Sequence, residues 1–126
     1  MSKINFNAKG ATRAGDQIEV DLGIYVFIEN DIYVAYCPSL DISAAGNSFD
    51  DALKEFSEIF QLHIEYCMTK KTLFEDLKQH GWVIKKKTAK APEIEEMIVK
   101  NDTFKNILSN KNYQKIIQPV HIPAYA

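Results

Sequence analysis

Ile32-Tyr33-Val34-Ala35-Tyr36-Cys37-Pro38-Ser39-Leu40-Asp41-Ile42-Ser43-Ala44-Ala45-Gly46 decides how the chain is read, because its conformational preference changes within a few residues. Ile32 to Cys37 are β-branched and aromatic, which suits a pleated strand. Pro38 has no amide hydrogen to give to a ladder and stops that strand. Residues 40–45 resume an extended reading that ends at Gly46. Beyond Gly46 the apolar period lengthens from two to between three and four. Phe49, Ala52, Leu53, Phe56, Ile59, Phe60, Ile64 and Cys67 form an i, i+3, i+4, i+7 stripe. That pattern predicts an amphipathic helix of about five turns, with Phe56, Ile59, Phe60 and Ile64 lying on a sheet.

The helix start is marked as well. Ser48 stands where an N-cap belongs and Asp51 follows three residues later, a near variant of a capping box, which normally carries Glu or Gln there. Upstream, Gln17–Glu29 is a long extended run, and Asn30-Asp31 separates it from the next strand as a two-residue hairpin would. The order strand, tight turn, strand, strand, long helix describes a small antiparallel sheet covered by helices, an α+β fold.

The second half continues the scheme. Thr72 with Glu75 reads as a capping box for a short helix that ends at His80-Gly81. Trp82-Val83-Ile84 then reads as a strand joining the same sheet, giving a β-β-β-α-α-β unit over residues 1–88. Residues 89–126 read as a C-terminal appendage. In it, 93–99 and 102–108 are short helices broken near Asn101, and 116–126 is an extended apolar arm restricted to an edge by Pro119 and Pro123. An uncharged arm of this kind is expected to be covered, by a second copy in a homodimer or, alternatively, by closing its own domain.

These residues resemble the HicB-like antitoxins. The likeness is carried by Tyr33-Val34-Ala35, by the Cys37-Pro38-Ser39-Leu40 break, by the strand ending at Gly46, and by Ser48-Phe49-Asp50-Asp51-Ala52 opening a helix. It covers roughly residues 18–83 and rests on the order and spacing of Ala35, Pro38, Leu40, Gly46 and Ala52. It implies a partial RNase H-like fold that binds and blocks a small RNA-cleaving toxin of the HicA type. Each of the five also has a purely architectural reading: Pro38 ends a strand, Gly46 turns where a Cβ would obstruct, and Ala52 lets the helix approach the sheet. Many members carry a DNA-binding tail. Here a helix-turn-helix would offer Lys105 and Asn106 to bases, and a ribbon-helix-helix would need its strand before its helices, the reverse of this order.

Charge agrees with a binding role. The net charge of −2 conceals an acidic part through Gly81, with thirteen Asp and Glu against seven Lys and Arg, followed by a part with eight lysines against four acids. An acidic module repels phosphate but complements the RNA-binding face of a basic protein. The run Lys85-Lys86-Lys87 with Lys90 reads as a solvated linker, since arginines and stacking aromatics other than Trp82 are missing from it. The chain has no long apolar stretch and begins Met-Ser-Lys-Ile-Asn-Phe-Asn, without the apolar core of a signal peptide, so a cytoplasmic protein with no membrane span is expected.

Catalysis and metal binding are not expected. The centre of the first strand, Gly23-Ile24-Tyr25-Val26-Phe27, lacks the carboxylate that a metal-dependent nuclease would place there, and no nucleophile-elbow, phosphate-loop or zinc-protease motif occurs. Cys37 and Cys67 read as reduced packing residues. His63 and Cys67 fall at i and i+4 on one helix, a spacing that suits two metal ligands, but neither His80 nor His121 stands in a recognisable third position.

Overall fold

A computed structural model describes residues 17–85 and 88–123. The first seven residues, Lys86 and Lys87 of the basic run, and Tyr125 of the arm lie outside that range. The order is β1 (Gln17–Glu29), β2 (Ile32–Cys37), β3 (Ile42–Gly46), α1 (Phe49–Lys70), α2 (Leu73–Gln79), β4 (Val83–Lys85), β5 (Thr88–Lys90), α3 (Ile94–Lys100), α4 (Asp102–Asn110) and β6 (Gln114–Pro123). It is an α+β fold built on a four-stranded antiparallel sheet in the order β3-β2-β1-β6.

The β1–β2 hairpin turns through Asn30 and Asp31, both at positive φ (53° and 65°). Two successive left-handed residues give a turn whose twist matches that of the strands it joins, and Asn and Asp are the non-glycine residues that tolerate it best. β1 alternates exposed and buried residues through Leu22 and is then buried continuously from Ile24 to Phe27. Unbroken burial means that both faces of the sheet are covered there.

One face is covered by α1 and α2. Ile24, Val26, Ala35, Cys37, Phe56, Phe60 and Ile64 belong to one continuous apolar cluster that also takes in Leu73, Leu77 and Trp82. Ile59, predicted to lie on the sheet, is instead 37% exposed. It sits on the flank of a helix whose buried face is centred on Phe56, Phe60, Ile64 and Cys67. The opposite face carries Tyr25, Phe27 and Tyr36, covered by Phe104 and Ile107 of α4.

Several local predictions need correction. The strand after α2 does not join the sheet: β4 pairs only with β5 in a separate hairpin. The place beside β1 is taken by β6, paired from Gln17 with Pro123 to Val26 with Gln114. The C-terminal arm therefore closes its own sheet. Ten residues of intrachain ladder bury Ile116, Val120 and Ile122 and leave Ile117 exposed. Trp82 precedes β4, is buried, and donates its indole N–H to the Ser39 carbonyl at 2.7 Å.

The helix caps also differ from their sequence patterns. Ser48 accepts from the Asp51 amide at 3.0 Å as predicted, but the Asp51 carboxylate reaches the Asn47 amide (2.9 Å), one residue beyond the position a longer Glu would serve. The Thr72–Glu75 box does not form, and the Thr72 side chain makes no cap bond. α1 ends in a Schellman motif, with Thr72 N donating to the Cys67 carbonyl (2.9 Å), Lys71 N to that of Met68 (3.2 Å), and Lys71 itself left-handed at φ 58°.

Candidate functional site

The five residues that carry the family likeness come together as architecture. Ala35 and Ala52 have no exposed surface, Pro38 and Leu40 are buried, and Gly46 is half-buried. A Cβ on Gly46 would stand 2.5 Å from the Ala52 nitrogen and 2.7 Å from the Asp51 carbonyl carbon, so glycine there is what lets α1 start against β3. None of the five offers a side chain to a partner from a surface position.

The surface features lie elsewhere. Leu62 and Tyr66 of α1 are exposed by 64% and 62%, and Ile59 adjoins them. Helical spacing places Asp51, Glu55, Glu58, Leu62 and Tyr66 on one line of the helix, because successive steps of three or four residues stack on one side. This stripe is acidic along its first half and apolar along its second. Lys70 lies over the Tyr66 ring, 5.9 Å from its centroid. Periodicity assigns the buried face of α1 except for Ile59, while the second apolar line escapes it because Leu62 and Tyr66 fall outside the main stripe.

A cleft of about 430 Å³ opens between the β2–β3 turn and the α2–β4 and α3–α4 connections, lined by Pro38, Asp41, His80, Pro92, Lys100 and Asn101 among others. Asp41, left-handed at φ 54°, and Asn101 are joined through Tyr36. The Tyr36 hydroxyl donates to Asp41 Oδ1 and accepts from Asn101 Nδ2, both at 2.7 Å. Burial, foremost, and the adjacent Asp41 carboxylate raise the Tyr36 pKa, so its phenol remains protonated and supplies neither a base nor a nucleophile to the cleft. Asn101 also caps α4, accepting from Phe104 N at 3.0 Å. The network thereby fixes the helix pair to the sheet.

Lys105 and Asn106, the prospective base readers, are exposed on α4, whose other side buries Phe104 and Ile107. Asn106 Oδ1 accepts from Asn110 Nδ2 at 2.6 Å. Trp82, considered above as a stacking aromatic, is buried and unavailable to a base.

His63 and Cys67 have a neighbour that spacing could not supply. Asp76 projects from α2 with Oδ2 2.9 Å from His63 Nε2, and the Cys67 sulfur lies 3.7 Å from that same nitrogen. Among the described residues these three form the one group of three or more metal-type donors, with ligand atoms all within 4.8 Å of one another. A Cys-His-Asp relay would need the thiol and the carboxylate on different ring nitrogens, and here both address Nε2. Burial pushes the Cys67 thiol pKa up, with the Asp76 charge adding to it, opposite to the shift that activates a nucleophile. The cluster is thus not arranged for covalent catalysis.

No family model matches the chain, and neither a curated protein nor a solved structure matches it.

Proposed function

We propose that the chain is a HicB-like antitoxin that acts in the cytoplasm by binding, not by catalysis, and neutralises a small basic ribonuclease toxin of the HicA type. The observation that carries this reading is the uncovered stripe of α1. Leu62 and Tyr66 supply apolar area and an aromatic anchor of the kind that dominates protein interfaces, and Asp51, Glu55 and Glu58 set beside them a charge complementary to an RNA-binding surface. The acidic excess through Gly81 adds long-range attraction to such a partner. The family likeness of residues 18–83 supports the same assignment, together with the partial RNase H-like fold it implies.

The test is co-expression with the small basic reading frame beside its gene. The unaltered chain is expected to restore growth against that toxin, and Leu62→Asp with Tyr66→Asp to abolish rescue while leaving the circular dichroism unchanged. Association should slow as salt is raised through the range where the Debye length falls from about 10 to about 3 Å. A partner toxin that is bound equally well by the double variant would remove the α1 stripe from the interface, and failure of the unaltered chain to rescue would remove the antitoxin reading.

A further inference from the structure

The corner where α1 gives way to α2 brings together sulfur, nitrogen and oxygen donors from two helices. His63 and Cys67 share one face of α1, and Asp76 faces them from the second turn of α2. We propose that His63, Cys67 and Asp76 bind a zinc ion through Nε2, Sγ and Oδ2, with the fourth position open to solvent, as a clasp between the two helices.

The donor atoms lie within 4.8 Å of one another, close enough to share one ion. Zinc bonds of about 2.3 Å to sulfur and about 2.0–2.1 Å to nitrogen imply a tetrahedral S···N edge of about 3.5 Å. The Cys67 to His63 distance is 3.7 Å. The His63–Asp76 contact is a hydrogen bond of 2.9 Å, and would open by a few tenths of an ångström toward the N···O edge of about 3.3 Å that zinc requires. Convergence of both partners on one ring nitrogen, which rules out a proton relay, is what three ligands around one point require. A mixed S, N, O set suits a borderline-soft ion and disfavours calcium and magnesium.

Access and support are both present. Cys67 is buried at the inner side of the cluster, while the His63 and Asp76 side chains are 26% and 20% exposed, leaving an entry on the outer side. Thr72, whose hydroxyl does not cap α2, donates its backbone N–H to the Cys67 carbonyl at 2.9 Å and so holds the backbone of that ligand. His80 Nδ1 lies 2.8 Å from the Asp76 carbonyl oxygen, and because that oxygen can only accept, Nδ1 carries the proton. Outer groups of this kind hold ligands in position. The Schellman turn through Lys71 and Thr72 fixes the two helices relative to each other, so the donors are set by backbone and not by loop motion. On binding, the Cys67 thiol releases its proton to solvent. The His63 proton moves from Nε2 to Nδ1, and the Nε2 lone pair turns to the metal.

The experiment uses the full chain, stripped of metal and titrated with Co²⁺ as a spectroscopic probe, then with Zn²⁺ in competition. Expected are roughly one Co²⁺ per chain, a thiolate-to-cobalt charge-transfer band, and its loss when Zn²⁺ is added. Cys67→Ser should remove the band. His63→Gln and Asp76→Asn should each weaken Zn²⁺ binding by about tenfold or more, and His121→Gln should leave it unchanged. A second measurement needs no variant: Zn²⁺ should protect Cys67 from alkylation, read by peptide mass, and leave the modification of fully buried Cys37 as it was. Absence of the band together with unprotected Cys67, or Zn²⁺ affinity indifferent to both His63→Gln and Asp76→Asn, would overturn the site and leave an interhelical ion pair.

Discussion

The two faces of the sheet are covered by helices in different ways. On one, α1 and α2 add Ala52, Leu53, Phe56, Phe60, Ile64, Cys67, Leu73 and Leu77 to a core that continues through β1, β2, β3 and β6. On the other, α3 and α4 cover Tyr25, Phe27 and Tyr36 with little more than Phe104 and Ile107, and α3 buries no residue fully. The small face compensates with polar geometry: Asn101 reaches Tyr36, Tyr36 reaches Asp41, and Lys111 pairs with Glu29 at 3.1 Å. A large apolar surface needs little direction to hold a helix, whereas a small one needs hydrogen bonds to say where the helix goes.

The difference can be broken most directly with matched truncations. Phe56→Ala should cost about 3–5 kcal/mol in denaturant unfolding and destabilise the whole domain, since Phe56 lies in the continuous core. Phe104→Ala should cost about 3 kcal/mol, with hydrogen exchange speeding first in α3 and α4 while the sheet amides keep their protection. Equal loss of protection everywhere would show that the two faces fold as one cooperative unit.

Gly46→Ala tests whether the larger face depends on backbone approach as well as on apolar area. The added methyl meets the Ala52 and Asp51 backbone, which cannot move without shifting the start of α1, so a loss of about 3 kcal/mol is expected in the same unfolding assay.

Tyr36→Phe examines the polar side. It removes two hydrogen bonds at partly wet positions, and a loss of about 1 kcal/mol at neutral pH is expected. The parent should also lose stability as pH rises above about 10. There the unfolded chain ionises while the folded state, with the Tyr36 pKa raised by burial, keeps its proton. Measured by unfolding at stepped pH, the Phe variant should show a shallower alkaline decline. Lys71→Gly is the smallest change: relief of a left-handed lysine at the end of α1 should stabilise by about 1 kcal/mol, seen as a raised denaturation midpoint.

What the sequence determined by itself is local. The Asn30-Asp31 turn, the stop at Pro38, the Ser48 cap and the buried line Phe56, Phe60, Ile64 and Cys67 can all be read within a few residues, because turn chemistry and hydrophobic period act over that range. The need for a small residue at Gly46 and at Ala52 is legible for the same reason, though that the two meet is shown only by the fold. Tertiary structure alone decided that β6 and not β4 lies beside β1, that α2 begins without a side-chain cap from Thr72, and that Asp76 meets His63. Each of these depends on how distant segments pack. β6 outcompetes β4 for the edge because it brings ten ladder positions and three buried aliphatic side chains, where Val83–Lys85 brings three residues with none buried. The His63–Cys67–Asp76 cluster was half visible, as an i, i+4 pair on one helix. Its third member required the angle between two helices, a quantity set by the core beneath them and not by the spacing along either.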